Sequence, residues 1–158
     1  MVIKIGKLRG EDLSSVVKFI SSNIDNVSYY SDVAKKAEKQ KYNKTNLLSK
    51  IKNKNFIFYV AKCGKNVVGI LNGHYDEDIF WVSWLIVHEN FRRMGVAGSL
   101  LNSLFNLLVK NNVHKVWFDT RTDNKESISL VKKLKCQKIG VVKNHWHKQD
   151  YFLWQKFL

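Results

Sequence analysis

Residues 84–101 read Trp-Leu-Ile-Val-His-Glu-Asn-Phe-Arg-Arg-Met-Gly-Val-Ala-Gly-Ser-Leu-Leu, and their types suit one kind of chemistry, the holding of an anion. An apolar, strand-like run (Trp84–Val87) enters a polar turn, which leaves through small residues into a helical stripe of Leu100, Leu101, Leu104, Leu107 and Leu108. A strand that becomes a helix in this way gathers unpaired backbone N–H groups at one point, beside the positive end of the helix dipole. Gly95, Ala97 and Gly98 are small enough to let a phosphate touch the backbone, and Arg92 and Arg93 add charge-assisted donors. The turn is expected to hold a phosphorylated ligand.

Two phosphate loops are excluded by spacing. No Gly-Lys-Ser/Thr ending supplies a P-loop. Only Gly95 and Gly98 are present, in mid-chain, where a dinucleotide fingerprint needs three glycines in an early βαβ unit. The spacing that fits is Arg-x-x-Gly-x-Ala at Arg92, Gly95 and Ala97. It resembles the pyrophosphate loop of the GCN5-related N-acetyltransferase family, and the likeness runs without a gap from Leu85 to Leu101. The family often has Pro where Glu89 stands. The resemblance implies acetyl-coenzyme A as cofactor, held by Leu85, Ile86 and Val87 through their backbone and by Arg92, Arg93, Met94, Gly95, Val96, Ala97, Gly98 and Ser99 around the diphosphate.

Downstream, Trp117-Phe118-Asp119-Thr120-Arg121-Thr122-Asp123-Asn124 is similar to the family's fifth strand, which implies a cofactor contact from Asn124. The helix that follows departs from the pattern. Val131 stands where the family has a Tyr acting as general acid, and Lys135 and Cys136 replace the usual Gly and Phe. By the same resemblance the Val87 N–H is the oxyanion donor. Asp119 replaces, one methylene shorter, a Glu that accepts the proton in N-terminal protein acetyltransferases. Strand alternation puts Trp117, Asp119 and Arg121 on one face, and Asp119 reads either as that base or as an exposed strand residue. Trp81, Ser83, Trp84 and Trp117, with a rim at Asn144–His147 that includes His145, are expected to line the acceptor site. His145 or Tyr151 could give the leaving thiolate its proton. His145 and His147 lack further ligands at metal spacing, so no metal is expected.

The activity implied is direct transfer of an acetyl group to a primary amine, on a small molecule or a peptide N-terminus. The runner-up, favoured by Val131, is a weakly active acyl-coenzyme A-binding or basic RNA- or ribosome-associated module on the same fold. Composition bears on that choice. The chain has 158 residues and a formal net charge of +14. Residues 31–54 carry eight lysines against two acids, and residues 132–158 carry seven against one. These lysines read as a solvated surface rather than an Arg-rich groove interleaved with stacking aromatics, which argues against a nucleic-acid partner. A hydrophobic share of 45% excludes disorder. No run reaches the ~18 apolar residues of a membrane span, and no signal-peptide pattern opens the chain. With only Cys63 and Cys136, a reduced, cytoplasmic protein is expected, monomeric or homodimeric.

The elements that must position these residues follow from periodicity. Strands are expected at Val2–Leu8, Phe56–Cys63, Val67–Tyr75, Ile79–Val87, Lys115–Arg121, Gln137–Lys143 and Asp150–Phe157. Helices are expected at Glu11–Ile24, Val96–Lys110 and Asn124–Leu134, with one or two more in the Lys-rich stretch 27–54. The order β-α-α-β-β-β-α-β-α-β-β predicts an α/β fold: a mixed central sheet flanked by helices, built as one domain over residues 1–158. It is also the family's order, in which the fourth and fifth strands splay to admit the cofactor's pantetheine arm.

Overall fold

A computed structural model describes residues 2–158. β1 (Ile3–Lys7) leads into α1 (Leu13–Asp25), α2 (Asp32–Lys41) and α3 (Lys44–Lys52). An antiparallel meander follows, of β2 (Phe56–Cys63), β3 (Asn66–Asp76) and β4 (Ile79–Val87). α4 (Val96–Lys110), β5 (Lys115–Arg121), α5 (Lys125–Lys133), β6 (Gln137–Val142) and β7 (Tyr151–Phe157) complete the order. The strands form one mixed sheet, ordered β1-β2-β3-β4-β5-β7-β6, in which only β4 and β5 are parallel neighbours. This is the expected mixed sheet flanked by helices. Among the described residues no helix is long and apolar enough to cross a membrane.

Three helices separate β1 from β2: the Lys-rich stretch holds two, within the one or two expected, so the order carries one helix more than β-α-α-β. Their bounds are set by polar caps, which periodicity does not report. The Ser31 hydroxyl accepts from the Ala34 N–H to start α2, and the Asn43 side chain accepts from the Asn46 N–H to start α3. α2 buries no residue and α3 only Leu47.

Each face of the sheet carries its own core. On one, the α4 stripe Leu100, Leu101, Leu104 and Leu108 packs on Phe80, Val116, Phe118 and Trp154, with Val131 from α5. On the other, Val16, Ile20 and Ile24 of α1 and Leu47 of α3 cover Phe58, Val60 and Ile70. The helix period of 3.6 residues aligns the α4 leucines on one side and makes this docking possible.

One irregularity decides where the sheet opens. Asn72 is opposite Trp84 while Gly73 is opposite Val82, so Ser83 is an extra residue in β4, a bulge. A Cβ built on Gly73 would lie 2.1 Å from the Trp81 carbonyl oxygen, so only glycine fits there. The bulge also shifts the side-chain phase. Val82, Leu85 and Val87 all turn to the α4 side, whereas Trp84 and Ile86 turn to the α1 and α3 side. β4 pairs with β5 only at Ile79–Lys115, Phe80–Val116 and Trp81–Trp117. β5 continues beside β7 as far as Arg121–Tyr151. A wedge therefore opens between β4 and β5 beyond the two tryptophans.

At the end of α5, Lys135 adopts the left-handed conformation (φ 58°). The Cys136 N–H donates to the Val131 carbonyl and the Lys135 N–H to that of Lys132, closing a Schellman motif that ordinarily takes glycine at this position.

Two stability changes follow, both measurable by urea unfolding. Gly73→Ala should cost about 3 kcal/mol by forcing backbone apart at the bulge. Lys135→Gly should gain about 1 kcal/mol by relieving the left-handed lysine, with Tm rising about 2–4 °C.

Candidate active site

The polarity of the β3–β4 ladder fixes which backbone groups face the wedge. The His88 N–H donates to the Val68 carbonyl, and Val87 is opposite Gly69. In an antiparallel ladder that combination makes Val87–Gly69 a non-hydrogen-bonded pair, so the N–H and C=O of Val87 point away from β3. Leu85, two residues back, presents its groups in the same direction. Ile86 does not: its N–H and C=O belong to the ladder with Ile70. The expectation that all three residues offer backbone to a ligand arm is thus corrected to Leu85 and Val87.

At the mouth of the wedge stands the α4 N-terminus. Gly95, at the helix start, has φ 79° and gives no side-chain cap, a conformation glycine alone takes without strain. The first helical bond runs from the Ser99 N–H to the Gly95 carbonyl, 2.9 Å, so the N–H groups of Val96, Ala97 and Gly98 precede the ladder. A Cβ on Gly95 or Gly98 would meet no protein atom within 4 Å. The space before these donors is open, and a diphosphate fits the donor set. Arg93 adds a second left-handed residue (φ 63°), and Met94 is exposed beside it. The Arg92 Nε–H donates to the Val87 carbonyl at 3.3 Å, and Arg92 Nη1 lies 3.5 Å from Glu126 Oε2. Asn124 uses its side-chain oxygen to cap α5 through the Ser127 N–H, 3.0 Å.

Asp119 lies on β5 two residues past the last β4–β5 pair, opposite Leu153 of β7. Trp81 and Trp117 stack just before it, with ring centroids 5.2 Å apart and planes 9° off parallel. Asp119 is an exposed strand residue flanked by the Trp146 and His145 side chains. Partial desolvation raises its pKa, while the Trp146 indole and His145 pull it back. The His145 ring packs on Trp146 at 4.6 Å and on Tyr151 at 5.8 Å. Tyr151 is buried, and desolvation drives its hydroxyl pKa well above the ordinary phenol range. The β6–β7 loop that carries His145 is held by an Asp150 carboxylate accepting from the Asn144 N–H and pairing with Lys143, contacts that lower the Asp150 pKa.

Periodicity did not bring out the roof of this recess. Tyr30 packs on the His147 ring at 4.1 Å, and His147 Nε2 lies 3.9 Å from Glu38 Oε1. The Arg121 guanidinium lies over the Tyr29 ring at 3.8 Å. Burial pushes the Tyr30 hydroxyl pKa up and takes that of Tyr42 to about 12. The adjacent tyrosines Tyr29 and Tyr30, in an otherwise lysine-rich stretch, were the signal available in the sequence. Trp84, expected to line the acceptor site, instead stacks under Tyr42 (5.0 Å, 26°) and packs with the α1 and α3 core. Ser83 is the bulge residue itself, its Oγ 3.4 Å from His74 Nδ1.

Val131 is 4% exposed and packs in the α4 core, so no phenol projects from this turn of α5. Cys136 is half-buried, and desolvation takes its pKa to about 11. Its sulfur stays a thiol, unsuited to nucleophilic attack.

Against this geometry stand the comparisons with known proteins. The family model described as "Acetyltransferase (GNAT) family" matches residues 23–135. An acetyltransferase of Pectobacterium atrosepticum is 29% identical over 86 residues, 54% of this chain and 61% of that protein. One of Sodalis glossinidius is 32% identical over 81 residues, 51% of this chain and 57% of that protein. The matched stretch thus spans about three-fifths of the length of these relatives. Among solved structures, the PaiA N-acetyltransferase of Thermoplasma acidophilum, in complex with coenzyme A, superposes with a TM-score of 0.83 at 18% identity over 100% of both chains. The ribosomal-protein-S18-alanine N-acetyltransferase of Escherichia coli gives 0.77 at 16% identity, over 99% of this chain and 94% of that one. These two share the fold, and the family model carries the assignment over most of the chain's length: the protein belongs to the GNAT acetyltransferase family.

Proposed function

We propose that this chain binds acetyl-coenzyme A in the β4–β5 wedge and transfers the acetyl group directly to a primary amine, on a small molecule or a peptide N-terminus. The observation that carries the reading is the convergence of the slot-facing backbone of Leu85 and Val87 with the uncapped start of α4. Leu85 and Val87 pair with the ligand's arm as an adjoining strand would, and the N–H groups of Val96, Ala97 and Gly98 with Arg92 and Arg93 hold its diphosphate. Asn124 adds an amide donor at the same mouth. When bound, the cofactor supplies an activated acyl thioester.

The chain's own residues supply the rest. Asp119 takes a proton from the acceptor amine, and its raised pKa makes it a better base than an ordinary aspartate. The Val87 N–H, fixed by the ladder, is the donor for oxygen as negative charge builds there. Trp81, Trp117 and the His145–Trp146 turn shape the acceptor recess and hold the amine near its target, so no covalent enzyme intermediate is needed. With Val131 buried, water, His145 or Tyr151 protonates the leaving thiolate. Residues 1–158 act as one catalytic domain in the cytoplasm, without a nucleic-acid partner.

Val131 also favours a second reading, a coenzyme A-binding module without turnover. Release of free thiol from acetyl-coenzyme A in the presence of an amine and peptide panel separates the two. Transfer predicts acceptor-dependent thiol, whereas cofactor binding with no thiol above hydrolysis for any acceptor supports the module.

Asp119→Asn should lower kcat/KM about 10²–10³-fold and leave coenzyme A affinity within about twofold. A base must be deprotonated, so wild-type kcat/KM should fall as pH drops through the Asp119 pKa. That limb should lie above the ordinary aspartate range and vanish in the variant. Equal pH profiles for the two proteins would remove Asp119 from the mechanism.

A further inference from the structure

The Arg92 side chain joins the two walls of the wedge mouth. Its Nε–H donates to the Val87 carbonyl, 3.3 Å, on β4. Its Nη1 reaches Glu126 Oε2, 3.5 Å, in the first turn of α5, on the far side of the opening. Because Val87 is a non-hydrogen-bonded partner of Gly69, the carbonyl that Arg92 occupies is the one that faces the wedge. Arg92 therefore uses, at once, a backbone acceptor suited to a ligand arm and the guanidinium suited to a diphosphate. Both are committed to protein partners here.

We infer that Glu126 sets the affinity for the cofactor by competing with its diphosphate for Arg92. The inference rests on the reading that the wedge takes coenzyme A. Entry of the cofactor frees the Val87 carbonyl and moves the Arg92 guanidinium from a single carboxylate to a more highly charged phosphate group. Glu126 then remains near the bound diphosphate as an unpaired like charge. Both effects disfavour the loaded state. The side chains are half and three-quarters exposed, 50% for Arg92 and 76% for Glu126, and an exposed pair of this kind is weak. Glu126 accordingly tunes occupancy and does not block it. Arg93, in its left-handed turn, makes no ion pair among the described residues, so the competition falls on Arg92.

The test is calorimetric titration of the wild type and Glu126→Gln with two probes: coenzyme A, and pantetheine, which has the same arm and no diphosphate. Glu126→Gln should bind coenzyme A about two- to fivefold more tightly. The gain should shrink in high salt, and pantetheine affinity should stay the same. A second readout uses the free protein. Exchange of the Arg92 Nε–H with water, followed by NMR, should be faster in Glu126→Gln, because the guanidinium is no longer tethered.

Unchanged or weaker coenzyme A binding by the variant overturns the inference. So does an equal gain for pantetheine, since the effect would then not involve the diphosphate. Failure of both proteins to bind coenzyme A overturns the cofactor reading itself, and this inference with it. A variant that binds no differently while the wild type binds well overturns the role of Glu126 alone.

Discussion

A single extra residue in β4 governs the architecture. The bulge at Ser83 turns the second half of β4 away from β5 while both ends remain anchored. β3 holds one flank through ladder pairs on both sides of the bulge, and β7 holds β5 to its last residue. The strand cannot rejoin its parallel neighbour, so the backbone groups of Leu85 and Val87 are left without a strand partner on that side. Unpaired backbone inside a sheet is costly unless something else satisfies it. Water, the Arg92 guanidinium or an extended ligand are the available partners. Gly73 makes the arrangement possible, because any Cβ would strike the Trp81 carbonyl.

The two ends of the wedge have opposite electrostatic character. Its mouth is positive: unsatisfied N–H groups at the start of α4, Arg92, Arg93 and the helix dipole point at one place. Its inner wall carries Asp119, a carboxylate on a chain whose formal net charge is +14. A positive field of this kind attracts ligands that bear several phosphate charges. On the proposed mechanism Asp119 is the proton acceptor, beside the stacked tryptophans and His145. Topology keeps the two proposed functions apart, since the anion-holding groups come from the strand-to-helix turn and the proton acceptor from the neighbouring strand.

Much of this was legible in the sequence because it is local. The bounds of β2, β4, α4 and β5 agree with hydrophobic periodicity to the residue. The turn at Arg92–Gly98 could be placed from its small residues alone. What was not legible is pairwise. A bulge is defined by the strand opposite, so the alternation around Ser83 could not show that Trp84 would turn into the α1 and α3 core. Nor could it show that Ile86 would spend its backbone on β3 while Leu85 and Val87 faced the wedge. The roof formed by Tyr29, Tyr30, Glu38 and His147 joins segments more than a hundred residues apart, and each segment alone looks like solvated surface. Lys135 shows the reverse case. The sequence marked it as standing where glycine is usual, and the structure gives the reason in its positive φ.

The proposed activity depends on the wedge being a binding slot rather than a packing defect. NMR titration of the ¹⁵N-labelled protein with coenzyme A tests this at the atoms concerned. The amides of Leu85, Val87 and Val96–Gly98 should shift on addition, with Ile86, bonded into the β3 ladder, moving least. Saturating cofactor that leaves Leu85, Val87 and the start of α4 unmoved would contradict it.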